Sequence, residues 1–404
     1  MKMSIRMISL IGKIIIHQTY TGRVVVAHLC FYGLYAPLNA PYLRQLGAGT
    51  ILGGEFESGL VALYEQLAGN GPVARSSSQT EPIISLARQT FRLPDRSGLP
   101  GPAGYAQLVS ADGSRRLVGY TEASRGCKHR CRHCPIGPVY QGRFRVVQAE
   151  VVLADIEQQV RAGAQHITFG DPDFFNGPGH AIPLIKALHR QFPQLTYDVT
   201  IKVEHLLKQA HLLPVLRQTG CLFVTSAVES VDDAVLQILD KGHTRADFER
   251  IVALFKSSGL TLNPTFIAFH PWLSLAHYLD FLNTIAELEL IPHLSPIQYA
   301  IRLLIPAGSD LLPQPAVQGL VGQFDQQALV YPWQHPDPAV DRLQAEILAL
   351  VQANDMPRQQ LFSHIWQRAR AAYVEAGGSP PDLARPANEL VAKPIPHLSE
   401  PWYC

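Results

Sequence analysis

The chain has 404 residues, long enough for two or three domains with a full apolar interior. Apolar residues make up 47% and charged residues 17%, an ordinary globular composition on the apolar side. A net charge of +1 supplies no basic excess, so neither nucleic acid nor an anionic membrane is expected as the main partner.

The N-terminus is basic from Met1 to Arg6 and largely apolar from Met7 to Ile16. Lys13 splits that run, no small-residue cleavage site follows, and a second apolar run spans Val24 to Ala36. Neither reaches the ~20 residues of a membrane span. Both read as buried strands, and a cytoplasmic location is expected. Residues 1–72 are predicted to form a small α/β unit, with a strand at 24–31, a helix at 40–46, a strand at 50–52 and a helix at 57–67. The run Gly47-Ala-Gly-Thr-Ile-Leu-Gly53 precedes a strand instead of joining a strand to a helix, so it reads as turn glycines and not as a phosphate cradle.

Residues 73–115 are rich in Ser, Pro and Gly and read as a linker with one short helix near Glu81–Gln89. From Arg116 the pattern becomes strand, loop, helix, repeated. Strands are expected at 116–122, 164–169, 196–203, 221–228, 260–268 and 294–302. Helices are expected at 148–162, 180–191, 205–218, 231–256 with a break at Gly242, and 274–289. That alternation predicts a parallel sheet with right-handed crossovers over 116–305, with the chemistry at the C-terminal strand ends. Residues 306–404 follow as a helical extension (338–353 and 358–376) and a Pro-rich tail.

Cys127, Cys131 and Cys134 stand in Ser124-Arg-Gly-Cys-Lys-His-Arg-Cys-Arg-His-Cys-Pro135, where the expected first strand ends. Three thiolates in so short a loop can ligate three irons of one cubic iron–sulfur cluster and leave the fourth iron open to a small molecule. The alternative is a zinc knuckle on Cys131-Arg-His-Cys134 completed by His129 or His133, although structural zinc normally draws on two separated ligand pairs. Cys30, Cys221 and Cys404 are scattered without a disulfide framework, which suits a reducing compartment.

The C-x3-C-x2-C spacing, the Ser124-Arg125-Gly126 lead-in and Pro135 resemble the radical S-adenosylmethionine (radical SAM) enzymes, with His133 standing where the family usually has an aromatic residue. The resemblance implies a partial (β/α)6 barrel, preceded here by an incomplete Rossmann-like unit and followed by the helical extension. It also implies a [4Fe-4S] cluster on Cys127, Cys131 and Cys134, with SAM chelated at the open iron. A flavodoxin- or ferredoxin-type reductant would supply one electron, and the resulting 5'-deoxyadenosyl radical would abstract hydrogen from a small-molecule substrate inside a closed, largely apolar barrel.

Further contacts are implied by position. Gly170, Asp171 and Asp173 in Phe169-Gly-Asp-Pro-Asp173 occupy the place of the family's Gly-Gly-Glu-like turn that holds the methionyl amine; the alternative is a turn capping the next helix. Glu229 in Thr225-Ser-Ala-Val-Glu-Ser230 is similar to a G-x-E-S glutamate near the SAM ribose or methionyl group, or else is a helix-start carboxylate. Lys202 and Glu204 can bind the SAM carboxylate and amine or pair with one another. Arg302 can hold a substrate anion or stitch the C-terminal segment to the barrel, and Tyr140, Arg143 and His270 are further mouth candidates.

Tyr35-Ala-Pro-Leu-Asn-Ala-Pro-Tyr-Leu-Arg44 and Ile51-Leu-Gly-Gly-Glu-Phe-Glu57 are similar to the second half of a cobalamin-binding domain that precedes many radical SAM domains. No aspartate occurs before Asp95, so the D-x-H-x-x-G loop that supplies an axial histidine is absent. Cobalamin without a protein ligand and a structural remnant of that fold both remain open. The strings Asn263-Pro-Thr-Phe-Ile-Ala-Phe-His-Pro-Trp272 and Pro296-Ile-Gln-Tyr-Ala-Ile-Arg-Leu-Leu-Ile-Pro306 resemble a radical SAM group named for a CUAEP or CCAEP tail; Glu400-Pro401 survives from that tail, with Leu398 at its redox position. The expected function is therefore radical SAM hydrogen abstraction. The alternatives are a cobalamin-dependent C-methyltransferase and a non-catalytic iron–sulfur or zinc module.

Overall fold

The first apolar runs become strands β1 (Gly12–Tyr20) and β2 (Arg23–Tyr32) in the computed structural model, which describes residues 12–20, 23–68, 82–353, 356–379 and 395–399. Met7 to Ile11, Glu81 and the chain end with Glu400, Pro401 and Cys404 lie outside the described residues. Then come α1 (Tyr35–Leu38), α2 (Ala40–Gln45), β3 (Thr50–Gly54), α3 (Glu57–Leu67) and β4 (Ile83–Ser85). β4 replaces the short helix expected near 81–89. Pro82 removes a helical N–H, and the β-branched Ile83 and Ile84 pair in parallel with Leu52 and Gly53.

The chain continues through β5 (Gln107–Val109), β6 (Arg115–Thr121), β7 (Ser124–Gly126), α4 (Ile136–Tyr140), β8 (Phe144–Val146), α5 (Ala149–Arg161), β9 (His166–Phe169) and α6 (Pro178–Gln191). Next are β10 (Thr196–Thr200), α7 (Val203–Lys208), α8 (Leu213–Gln218), β11 (Cys221–Glu229), α9 (Asp233–Leu239), α10 (Arg245–Ser258), β12 (Thr261–Phe266) and α11 (Leu275–Glu287). Two long helices, α12 (Pro338–Gln352) and α13 (Arg358–Glu375), precede β13 (His397–Leu398). The helix expected over 205–218 is divided, because Pro214 sits in the first turn of α8 and cannot continue an earlier ladder.

By contacts the chain divides into two units: 1–89 with 126–145 and 304–333, and 90–125 with 146–303 and 334–404. The cysteine loop thus belongs to the first. In that unit β2, β3 and β4 run parallel and β1 is antiparallel at the edge, in the order β1-β2-β3-β4. Ala36, Ala40 and Leu43 of α1 and α2 cover Phe31 and Ile51 of the sheet.

The second unit holds a seven-stranded sheet in the order β12-β11-β10-β9-β6-β5-β13. Its five strands from β6 to β12 are parallel, as the helical crossovers require, and β5 and β13 add an antiparallel flank. This is the α/β architecture of a partial barrel. The expected sixth strand at 294–302 is reduced to one parallel bridge, Phe269 to Arg302. Pro292 and Pro296 start two 3₁₀ turns there, and prolines cannot donate to a ladder. The Gln298 side-chain carbonyl accepts the Phe266 N–H at 2.6 Å in place of a backbone partner.

One face of the sheet is apolar. Ile167, Phe169, Tyr197, Val199, Val224 and Leu262 pack into a core with Ile156, Ile185, Phe248 and Leu282 of the helices. On the alternate face Phe223 and Val118 pack with Leu108, beside a hydrogen-bonded polar set. His166 contacts Thr196 at 2.8 Å and Asp198 at 2.9 Å, Thr168 donates to Asp198 at 2.7 Å, and Asn263 donates to Thr225 at 3.3 Å. Among the described strands β12 and β13 stand at the two edges, so the closed, largely apolar barrel expected from sequence is an open sheet whose inner face carries these hydrogen bonds.

Candidate functional site

The cysteine loop is held within the first unit. Gly126 adopts a φ of +74°, open to glycine, and a Cβ there would lie 2.4 Å from Tyr140 Cδ1 and 2.6 Å from the Arg143 carbonyl oxygen. A tight turn closes on the Cys134 N–H, which donates to the Cys131 carbonyl at 3.0 Å, and the Gly137 N–H donates to the Cys134 carbonyl at 3.3 Å as α4 begins. The His129 N–H donates to Cys127 Sγ at 3.5 Å, a contact that favours a thiolate. Cys131 is buried, Cys127 and Cys134 are half-buried, and no described cysteine is in a disulfide. Three thiols on one loop with an N–H aimed at sulfur fit a cluster with one open iron.

In the second unit the expected residues gather where β9, β10 and β11 end, but they take different partners. Gly170 is tight because Tyr120 lies over it: a Cβ at that position would be 1.7 Å from Tyr120 Oη. Asp171 is buried, accepting the Ala123 N–H at 2.8 Å and the Ser124 hydroxyl at 2.6 Å. Desolvation raises its pKa to about 7 against those bonds. It therefore staples the chain just ahead of the cysteine loop and caps no helix. Asp173 caps the following 3₁₀ turn through the Phe175 N–H at 3.1 Å and holds His205 Nδ1 at 2.6 Å.

Lys202 Nζ lies 3.3 Å from Glu204, the pairing weighed as an alternative. Glu229 ends β11 beyond a register shift, with a φ of +71° and its buried carboxylate 3.3 Å from Lys241 Nζ. A non-glycine residue held at positive φ in a buried ion pair marks stored backbone strain, which concentrates at functional sites. The connection from α9 to α10 then turns back, with Asp240 and Gly242 at positive φ, and sets Gly242 against Glu204 and Lys202. His243 follows, 6% exposed, with both ring nitrogens buried and the Val228 backbone beside them. Burial first, then the ammonium groups of Lys241 and Lys202, lower its pKa to about 4.

Sequence reasoning missed Lys241, His243 and His205. The Lys241-Gly242-His243 run behind a broken helix was the available signal, since a glycine break lets a loop return to the strand ends. Arg302 bonds Asp341 at 2.6 Å and so ties α12 to the last bridge. His270 is buried beside Trp272, with ring centroids 5.6 Å apart, and desolvation lowers its pKa to about 4. Tyr140 belongs to the first unit, where its hydroxyl donates to Glu55 at 3.2 Å.

The buried His243 ring lies among the charges of Lys241, Lys202 and Glu229, a polar setting. The first unit offers less to a corrin. The Cβ positions of Gly53 and Gly54 fall 2.6 Å from Pro37 Cγ and 2.2 Å from the Ser85 carbonyl oxygen, so protein atoms already fill the space those glycines leave. No described helix is long and apolar enough to cross a membrane.

Residues 121–285 match the model of the Radical SAM superfamily. The hopanoid C-2 methylase of Rhodopseudomonas palustris is 21% identical over 137 residues, covering 33% of this chain and 26% of that protein. The bacteriochlorophyllide d C-12(1)-methyltransferase of Chlorobaculum tepidum is 21% identical over 232 residues, covering 55% and 47%. The chain thus spans at most about half the length of these curated relatives. Among solved structures, the cobalamin-dependent S-adenosylmethionine radical enzyme OxsB with aqua-cobalamin bound superposes with a TM-score of 0.64 at 16% identity, covering 87% of this chain and 60% of that one. The radical S-adenosylmethionine methyltransferase TsrM from Kitasatospora setae gives 0.55 at 16% identity, covering 79% and 70%. The family match thus covers the chain from the end of β6 into α11, residues 121–285.

Proposed function

We propose that this protein is a radical SAM enzyme in which Cys127, Cys131 and Cys134 hold a [4Fe-4S] cluster and the ends of β9, β10 and β11 hold SAM. The observation that carries the reading is the cysteine loop, with three thiols outside any disulfide and an N–H directed at one sulfur. Once reduced by a flavodoxin- or ferredoxin-type donor, such a cluster supplies the electron that cleaves SAM to methionine and a 5'-deoxyadenosyl radical, which takes hydrogen from a small-molecule substrate. The protein's own part is positional. Lys202 and Glu204 offer one positive and one negative group for the methionyl carboxylate and amine. Glu229 is held rigidly by Lys241. Gly170, Asp171 and Asp173 shape the turn after β9, with Asp171 tying it to Ala123 and Ser124.

The test is anaerobic reconstitution with iron and sulfide, then reduction and addition of SAM. Four irons per chain and 5'-deoxyadenosine are expected, both lost on Cys→Ala change at 127, 131 or 134. Zinc in place of iron, or a triple variant that still cleaves SAM, refutes the reading; iron without SAM turnover supports a non-catalytic cluster module.

A second reading, cobalamin-dependent methyl transfer, is favoured by the methylases and cobalamin-dependent enzymes to which the chain is similar. Stoichiometric corrinoid in protein purified after growth with cobalamin is its expected signature.

A further inference from the structure

We infer that the N-terminal α/β unit works as a clamp on the cluster loop, with Tyr140 and Glu55 as its central contact. The inference rests on the cluster reading above. In a doubly wound sheet the C-terminal strand ends face the ligand crevice. Here that edge of β3 and β4 is used by the chain itself. Glu55, 2% exposed just past β3, accepts the Tyr140 hydroxyl at 3.2 Å and the Gln89 amide at 3.0 Å. Arg145 Nε donates to the Leu86 carbonyl just past β4 at 3.0 Å. Both donors come from the segment that follows the cysteines, and the Tyr140 ring presses on Gly126, directly ahead of Cys127. On the other side, the Ser309 hydroxyl donates to the Arg132 carbonyl between Cys131 and Cys134 at 3.0 Å.

The loop is therefore fixed before, within and after its cysteines by groups that do not touch a cluster. A buried carboxylate that loses one of its donors is costly, so Tyr140 and Glu55 are coupled and not merely adjacent. They are positioning residues: they set where the thiolates sit and how often the loop opens.

The experiment compares Tyr140→Phe, Glu55→Ala and Glu55→Gln with the wild type after anaerobic reconstitution. Tyr140→Phe keeps the ring against Gly126 and removes only the hydroxyl. A bond to a charged group is worth enough that the cluster is expected to be lost to a chelator roughly tenfold faster in Tyr140→Phe and Glu55→Ala. Glu55→Gln keeps an acceptor and is expected near the wild-type rate. The electron paramagnetic resonance spectrum of the reduced cluster should change with the same two variants and not with Glu55→Gln, a readout that general destabilisation would not sort in this way.

Unchanged loss rates and spectra in Tyr140→Phe and Glu55→Ala, with a wild type that holds four irons, overturn the clamp alone. A wild type that takes up no iron overturns the cluster reading and the clamp together. Stoichiometric corrinoid in purified protein overturns the clamp, because it needs the edge that Tyr140 and Arg145 fill.

Discussion

His243 offers a measurement that needs no cluster and no substrate. Its pKa falls from 6.5 to about 4 in the folded chain, chiefly through burial. At 1.36 kcal/mol per pH unit, charging it in place costs about 3 kcal/mol. The sign follows from a lowered folded value: above pH 6.5 the ring is neutral in both states and its contribution is full. As the pH falls below 6.5 the unfolded chain takes a proton that the folded chain refuses, and stability is lost until about pH 4. At about pH 5 the loss attributable to this one ring is about 2 kcal/mol. The assay is denaturant unfolding of iron-free protein at about pH 7.5 and about pH 5, wild type against His243→Gln, which keeps a donor and an acceptor but does not titrate. His243→Gln is expected to lose about 2 kcal/mol less over that interval. Equal losses in the two proteins would refute the reasoning, for they would mean that the ring is solvated or finds a partner on protonation.

Two further expectations use the same assays. Glu229→Gln leaves Lys241 buried beside a neutral group and should cost about 3 kcal/mol or more in denaturant, while Glu229→Gln combined with Lys241→Met should recover most of it; additive losses would show that the two groups do not share a bond. Gly126→Ala forces a Cβ into Tyr140 and the Arg143 carbonyl at positive φ, so iron uptake on reconstitution should fall well below the wild-type stoichiometry, and a full complement of iron would contradict that geometry.

The alternating pattern from Arg116 made the five parallel strands and their helices legible, because period and turn chemistry are local. The sixth strand was misread for the opposite reason. Its apolar residues look like a strand, but two prolines and a glutamine side chain decide its hydrogen bonds, and that depends on Phe266 some thirty positions away. The cysteine loop was legible because ligand spacing is itself local chemistry. The partners of Asp171, Asp173 and Glu229 were not, since Ser124, His205 and Lys241 reach them only through the fold. The polarity of the sheet's inner face was hidden too. His166, Thr168 and Asp198 each look like exceptions in an apolar strand until their common face brings them together.

The two-residue strand β13 has a consequence in time. His397 and Leu398 pair with Val109 and Leu108, and the Gln107 N–H donates to the Ser399 hydroxyl across 292 positions of chain. A contact of that span forms late, after much loop-closure entropy has been spent elsewhere. During synthesis the outer edge of β5 therefore stays open to any passing strand until residue 399 has left the ribosome. Only then is that edge of β5 covered.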